Sequence, residues 1–182
     1  MEEAVLIQNC QNGDKTAFEQ LFHRYKEQVY NVAYRMTNNR EDALDLTQEI
    51  FLRAYHKINK FNFRSAFSTW LYKLAVNFCI DEHRKRKPVT ESLSIGAKSL
   101  VERRTPEDDA ISNERKMQIW EAINSLKAED RAMVILRDME GLPYEEIAKI
   151  LRCSIARVKS RLHEARQKLR EILKTETGSR AD

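Results

Sequence analysis

Apolar residues recur at steps of three and four positions through most of this 182-residue chain, which is the spacing of amphipathic helices. Only 4 glycines and 3 prolines are present, and few stretches alternate with the period of two that is typical of strands. One such apolar stripe consists of Ile155, Val158, Leu162, Ala165, Leu169 and Ile172. The sequence therefore predicts an all-α protein.

One long stretch, residues 89–109, lacks this spacing. It is rich in serine, threonine and residues of mixed charge and also contains glycine and proline, a composition typical of a flexible linker. We therefore predict two small helical domains, residues 1–88 and 110–175, joined by a flexible linker at 89–109. A disordered tail is predicted at 176–182.

Metal, cofactor and catalytic sites are not expected. Cys10, Cys79 and Cys153 lie far apart, as reduced thiols of a cytosolic protein do, and no histidine has a partner at ligand spacing. A phosphate-binding glycine loop and a Ser-His-Asp arrangement are also missing. No apolar run approaches the ~20 residues of a membrane span, and the N-terminus does not resemble a secretory signal. We expect a cytoplasmic protein without membrane insertion.

Aromatic residues precede a cationic run in the first domain. The rings belong to Phe61, Phe63, Phe67, Trp70 and Tyr72, and the run spans Arg84–Lys87. Rings stack on unpaired bases while cations follow phosphates, so this pattern suits single-stranded nucleic acid. It also fits a packed core followed by a solvated helix end. Asn77, between the two, can read a base edge or be an ordinary surface amide.

The predicted helix from Arg40 to about Asn59 has a mixed outer face. Asp45, Gln48, Glu49 and Leu52 share it, opposite the apolar stripe. Charged residues beside an exposed leucine suit a protein interface, but a plain solvated face has the same spacing. Both interpretations stay open at this point.

The second domain ends in a helix-turn-helix pattern, whose second helix lies in the DNA major groove. A short apolar-striped helix, the turn 152–154 and a long helix follow one another, and Ser154 is a candidate N-cap. Between Arg157 and Arg170 there are six basic residues and one acid. A further helix is predicted from Ala128 to Met139, before this motif, with Arg131 and Arg137 on the outside. An αα-hairpin with a basic surface is the alternative.

Three segments in this order closely resemble bacterial RNA polymerase sigma factors of the extracytoplasmic-function (ECF) group of the sigma-70 family. They are DALDLTQEIFLRAY, FSTWLYKLAVNFCIDEHRKRKP and GLPYEEIAKILRCSIARVKSRLHEAR. The resemblance implies a promoter-specificity subunit, not an enzyme, that binds core RNA polymerase and initiates transcription of a stress or envelope-type regulon. It implies as partners the clamp helices of the largest polymerase subunit, the flap, promoter DNA and an anti-sigma factor, with a monomer when free.

The resemblance also assigns roles to residues. The set implied to bind core polymerase is Leu44, Asp45, Gln48 and Glu49. The set implied to recognise and melt the minus-10 element is Phe61, Phe63, Arg64, Phe67, Trp70, Lys73, Asn77 and Arg84, where Trp70 also fits a core position. The set implied to read the minus-35 element is Arg157, Lys159, Ser160, Arg161, His163 and Glu164.

Two departures from the family pattern leave the minus-35 sequence open. Many members carry Gly-Thr where this chain has Ala156-Arg157, and a basic residue where it has Glu164. A glutamate accepts from a cytosine amine but repels phosphate. Two other functions compete: a stand-alone helix-turn-helix regulator on a palindromic operator, and a helical adaptor whose basic helices serve solubility.

Overall fold

The computed structural model of the protein describes residues 2–86 and 117–178. Contacts between residues divide the chain into two compact units, Met1–Thr90 and Glu91–Asp182. The described residues form helices and no strand, which confirms the all-α prediction. The predicted linker at 89–109 lies outside the described residues.

The first unit contains four α-helices. These are α1 (Glu3–Gln11), α2 (Lys15–Thr37), α3 (Arg40–Lys57) and α4 (Phe67–Arg86), with a 3₁₀ turn (Ile58–Lys60) directly after α3. Helices α2, α3 and α4 pack against one another, and α1 packs on α2. Their apolar stripes form the core, so that Leu21, Val29 and Ile50 are fully buried.

Local sequence signals set the helix boundaries of this unit. The Asp14 carboxylate caps α2 by accepting hydrogen bonds from the backbone N–H groups of Thr16 at 2.8 Å and Ala17 at 3.2 Å. Asn38 ends α2 in the left-handed conformation with φ of 52°, and Asn39 caps α3. These two asparagines therefore separate α2 from α3.

The described part of the second unit begins with helical residues 117–124, called α5 here. It continues with α6 (Ala128–Val134), a π-helical turn (Ile135–Met139), α7 (Tyr144–Leu151) and α8 (Ile155–Gly178). The single helix predicted over 128–139 is therefore an α-helix that widens at Ile135. Helix α8 runs through residues 176–178, which the sequence assigns to the tail, and residues 179–182 lie outside the described part.

The prediction that Arg131 is available on the outside is wrong. Its side chain lies inside the second unit with 7% of the residue exposed. It donates hydrogen bonds to the backbone carbonyls of Asn124 and Leu126, at the C-terminal end of α5. Burial lowers the pKa of the Arg131 guanidinium. The reason for the burial is that helix-end carbonyls need donors, and a long arginine supplies them.

The two cysteines of the first unit are buried, whereas the cysteine of the second unit is partly exposed. Burial raises the pKa of Cys10 to about 11 and that of Cys79 to about 12, which disfavours the reactive thiolate form at neutral pH. Cys153, in the turn before α8, is only half-buried. Within the two described stretches, no three His, Cys, Asp or Glu residues come together as a metal site. No helix there is long and apolar enough to span a bilayer.

Candidate functional site

The outer face of α3 exposes the residues that the sequence grouped together. Leu44, Asp45, Gln48 and Glu49 are all exposed, and so is Leu52 one turn further along. The reason is the helical period, because Ala43, Leu46, Thr47 and Ile50 occupy the opposite, buried side. The face therefore combines two exposed leucines with carboxylates and an amide, which is a surface composition suited to a protein partner.

Arg53 belongs to the same face and was missed by the sequence analysis. Its guanidinium lies over the Phe78 ring of α4, 3.8 Å from the ring centroid, and its Nε is 3.8 Å from a Glu49 carboxylate oxygen. The cation therefore holds α3 against α4 and orients Glu49. The i, i+4 spacing of Glu49 and Arg53 was the available signal.

The aromatic loop between α3 and α4 is defined here as residues 61–67. Phe61 and Phe67 at its two ends are buried, with 5% and 1% of each residue exposed. Their ring centroids lie 5.4 Å apart, and Trp70 lies 5.6 Å from Phe61 and stacks on Phe67 at 5.4 Å. Rings packed in this way cannot stack on a base, so direct contact by Phe61 and Phe67 does not fit this conformation. They form the floor of the loop.

Phe63 is the exposed ring of the loop. It has 45% of its surface exposed and contacts the Phe61 ring at 5.0 Å between centroids. Its backbone φ is 60°, a left-handed conformation that is unfavourable for a side chain of this size. The two residues that flank Phe63 are linked, because the Asn62 Oδ1 atom accepts a hydrogen bond from the Arg64 backbone N–H at 3.3 Å. The loop therefore holds Phe63 outward at the expense of backbone strain.

One stripe of α4 continues from the loop. Trp70, Lys73 and Asn77 are half-buried along it, and Arg84 is exposed near its end. The Asn77 Nδ2 donates a hydrogen bond to the Lys73 carbonyl at 2.7 Å, one turn earlier on the helix. The side chains of residues 86 and 87, the last of the cationic run, lie outside the described residues.

The helix-turn-helix prediction is confirmed in its geometry. Arg152 takes a left-handed conformation that ends α7 with φ of 53°, and the turn reaches Ser154. The Ser154 Oγ accepts a hydrogen bond from the Arg157 backbone N–H at 3.2 Å, as an N-cap of α8. Val158, Leu162 and Ala165 bury one side of α8.

Five of the six predicted minus-35 residues are exposed on the other side of α8. They are Arg157, Lys159, Ser160, His163 and Glu164. The Ser160 hydroxyl donates a hydrogen bond to the Glu164 carboxylate at 3.1 Å, one turn away. Glu164 therefore has a neighbour on its own helix that keeps the carboxylate on this face.

Arg161, the sixth residue, differs from the expectation that it faces a groove. Its Nε lies 2.6 Å from a carboxylate oxygen of Asp130, which is buried on α6. The hydrogen bond from Arg161 to Asp130 raises the pKa of the guanidinium. The physical reason is position: Arg161 follows Val158 by three residues and precedes Ala165 by four, so it lies at the edge of the buried stripe. It fixes α8 to α6.

A second set of contacts beside α8 was also missed. The Tyr144 ring at the start of α7 lies 4.7 Å from the Arg137 guanidinium carbon and 5.9 Å from the Lys159 Nζ. Arg166 of α8 hydrogen-bonds both oxygens of Asp138. No spacing signal predicts these contacts, because they join residues from separate helices.

Comparison with known proteins identifies both units. Residues 21–89 match the family model of Sigma-70 region 2, and residues 116–169 match that of Sigma-70 region 4. The first match contains α3, the aromatic loop and α4, and the second contains α6, α7 and the part of α8 up to Leu169.

Similar proteins cover nearly the whole chain. It is 35% identical over 177 residues to the ECF RNA polymerase sigma factor SigW of Bacillus subtilis, covering 92% of this chain and 95% of the relative. It is 34% identical to the ECF RNA polymerase sigma-E factor of Haemophilus influenzae, with 92% and 93% covered. Among solved structures, the sigma factor RpoE of Bartonella quintana, crystallised with the anti-sigma factor NepR, matches with a TM-score of 0.70. That match has 28% identity and covers 86% of this chain and 96% of the other.

Proposed function

Because this chain belongs to the ECF group of RNA polymerase sigma factors, we propose that it directs core polymerase to promoters through three separate surfaces. One surface binds the polymerase, one captures melted minus-10 DNA, and one reads the minus-35 element. Sigma factors are initiation factors and not enzymes, so the phosphodiester chemistry belongs to the polymerase. The observation that carries the proposal is that the first unit exposes both a partner-type face on α3 and an outward aromatic ring.

The polymerase-binding surface of this proposal is the α3 face. Leu44 and Leu52 are exposed apolar side chains, while Asp45 and Glu49 add negative charge around them. An apolar centre with a charged rim is the usual anatomy of a specific interface. The partner is the pair of clamp helices of the largest polymerase subunit, with the flap serving the second unit.

The minus-10 surface is the aromatic loop with the adjoining stripe of α4. Phe63 stacks on an unpaired base, the Asn77 amide reads a base edge, and Lys73, Arg64 and Arg84 follow the backbone phosphates. Phe61, Phe67 and Trp70 support the loop from beneath. Unstacking a base costs a few kcal/mol, so a preformed platform and nearby cations are needed to offset it.

The minus-35 surface is the exposed side of α8. Arg157 and Lys159 contact phosphates or purine acceptors, and Ser160, His163 and Glu164 read base edges in the major groove. Glu164 favours a cytosine amine at its position. The two DNA-binding units lie in one chain, so the second contact is intramolecular and raises the avidity for a complete promoter.

Regulation by an anti-sigma factor completes the proposal. The similar Bartonella quintana sigma factor was crystallised with such a partner, which supports the same mode of control here. Since polymerase and promoter DNA are the working partners, the protein acts in the cytoplasm, as a monomer until it meets one of them. The regulon is of the stress or envelope type.

Run-off transcription tests the proposal with purified bacterial core polymerase and a pool of genomic promoter fragments. Addition of this protein is expected to produce new, discrete start sites. Asp45→Arg reverses a charge in the polymerase-binding surface and is expected to abolish the start sites and co-elution with core polymerase. Glu27→Arg is the matched control, because Glu27 is also an exposed acid but lies on α2, and it is expected to behave as wild type.

The opposite outcome favours a different function. If no start site appears and the protein fails to co-elute with core polymerase, the stand-alone regulator becomes the better hypothesis. Filter binding of the protein alone to duplex DNA then discriminates, since such a regulator binds a palindromic operator tightly and a sigma factor of net charge +4 binds weakly without polymerase.

A further inference from the structure

The last residue of α1 reaches the aromatic loop. The Gln11 Nε2 donates hydrogen bonds to two backbone carbonyls, that of Ile58 at 3.0 Å and that of Phe61 at 2.8 Å. The amide has two N–H groups, so one side chain can satisfy both acceptors. These residues lie 47 and 50 positions away in sequence, so the contacts join the N-terminal helix to the end of α3.

The two carbonyls mark the entrance of the loop. The Ile58 carbonyl also accepts the backbone N–H of Phe61 at 3.0 Å, which closes the 3₁₀ turn. Phe61 then leaves that turn in an extended conformation with ψ of 124°. Gln11 therefore fixes the backbone at both ends of this turn, and it sets the direction in which the loop starts.

The loop direction decides where Phe63 points. Phe63 is two residues after the Phe61 carbonyl, and its ring packs against the Phe61 ring at 5.0 Å. Its left-handed backbone is unfavourable on its own, and such conformations persist only where the surroundings over-determine them. The Gln11 hydrogen bonds are among the contacts that constrain this backbone, and their loss leaves the Phe61 carbonyl without its side-chain donor.

We propose that Gln11 is a positioning residue for base capture: its amide holds the entrance of the aromatic loop so that Phe63 is presented to an unpaired base. Gln11 does not touch the DNA, since it acts through the backbone of Phe61. The inference rests on the proposed minus-10 function of this loop. It adds to that function a role for α1, which lies before the matched Sigma-70 region 2 segment at 21–89.

The test measures how strongly the holoenzyme depends on the captured base. Full-length protein is assembled with core polymerase, and its affinity is measured for single-stranded non-template oligonucleotides that span a mapped minus-10 element. An abasic site is placed at each position in turn. In the wild type, one position is expected to lose about tenfold in affinity when its base is removed, as stacking energies imply. Gln11→Met keeps the length of the side chain and removes both donors, and this tenfold dependence is expected to fall to threefold or less, roughly.

Gln8→Met is the matched control, because Gln8 lies one turn earlier on α1 with an exposed side chain. Gln8→Met should retain the full dependence of the affinity on the base. Both variants should bind core polymerase as the wild type does. A merely structural loss in Gln11→Met would lower the affinity for intact and abasic oligonucleotides by the same factor. An unchanged ratio between those two affinities would therefore overturn the role of Gln11.

Failure of the underlying function has a different signature. If wild-type holoenzyme shows no position at which base removal matters, the minus-10 assignment of the loop fails and the positioning role falls with it. If the wild type shows the dependence and Gln11→Met keeps it, only the role of Gln11 is lost. Phe63→Ala serves as the reference for a direct contact and should lower the ratio at the same position as Gln11→Met.

Discussion

The aromatic loop of the first unit and helix α8 of the second unit both carry residue types that bind DNA, but they are held in place by different forces. The loop is fixed by packed rings and by a hydrogen bond from Gln11 to the Phe61 backbone carbonyl. Helix α8 is fixed by its buried apolar stripe and by ion pairs to carboxylates, Arg161 to Asp130 and Arg166 to Asp138.

In both regions, some residues of the types that commonly bind DNA maintain the structure, and the others are exposed. Phe61 and Phe67 support Phe63, and Arg161 and Arg166 hold the helix that exposes Arg157 and Lys159. Residue type alone therefore does not separate a contact from a support. Contacts are exposed and supports are buried or half-buried. Mutation of a support should lower the stability of the fold, whereas mutation of a contact should lower initiation or DNA binding.

The largest expected effect comes from the floor of the loop. Phe67→Ala removes a ring that is 1% exposed and should lower the free energy of unfolding of the first unit by about 3–5 kcal/mol. Phe63→Ala removes an exposed, strained side chain and should change stability by less than about 0.5 kcal/mol while reducing initiation. Urea unfolding followed by circular dichroism, with run-off transcription in parallel, measures both. Equal losses of stability would contradict the division into support and contact.

A smaller effect is expected from the ion pairs of α8. Asp130→Asn removes the charge from a pair whose side chains are 11% and 23% exposed, and should cost about 1.5–3 kcal/mol of unfolding free energy. Asp138→Asn is the matched control in the same unit, because its pair with Arg166 is more exposed at 37% and 38%. It should cost about 1 kcal/mol or less. Thermal unfolding of the full chain compares them, and an equal shift from both substitutions would count against a supporting role for Arg161.

The smallest effect on the fold is expected at an exposed cation of α8. Lys159→Ala should leave the unfolding free energy within about 0.5 kcal/mol of wild type. It should lower the salt dependence of holoenzyme binding to promoter DNA, by about one in the slope of log K against log salt concentration, if Lys159 contacts a phosphate. Binding titrations at several salt concentrations give the slope. An unchanged slope with reduced affinity would instead assign Lys159 to a base.

Much of the fold was accessible from the sequence, because helix formation is local. The apolar stripes and the Ser154 cap predicted the helices, and the helix predicted from Arg40 to about Asn59 runs from Arg40 to Lys57. The exposed face of α3 followed from the same period. The burial of Arg131 and the π-helical turn at Ile135 were not predicted, because both depend on packing between helices.

The sequence predicted which residues belong to each candidate site. It did not predict which members of a site are exposed and which are buried as supports. Phe61, Phe63 and Phe67 are the same residue type within seven positions, and only the packing against Trp70 and α2 makes Phe63 the exposed member. Gln11 was missed because its partners lie about fifty residues away, so no spacing in the sequence connects them.

The helices, the two units and the family follow from the sequence, because each depends on residues that are close together in the chain or on a shared pattern. Which ring and which cations face outward is visible only in the folded structure. That outcome depends on contacts between separate helices, such as Arg161 with Asp130 and Gln11 with Phe61. These contacts form when apolar stripes bury against one another, and they leave exposed whatever that burial does not use.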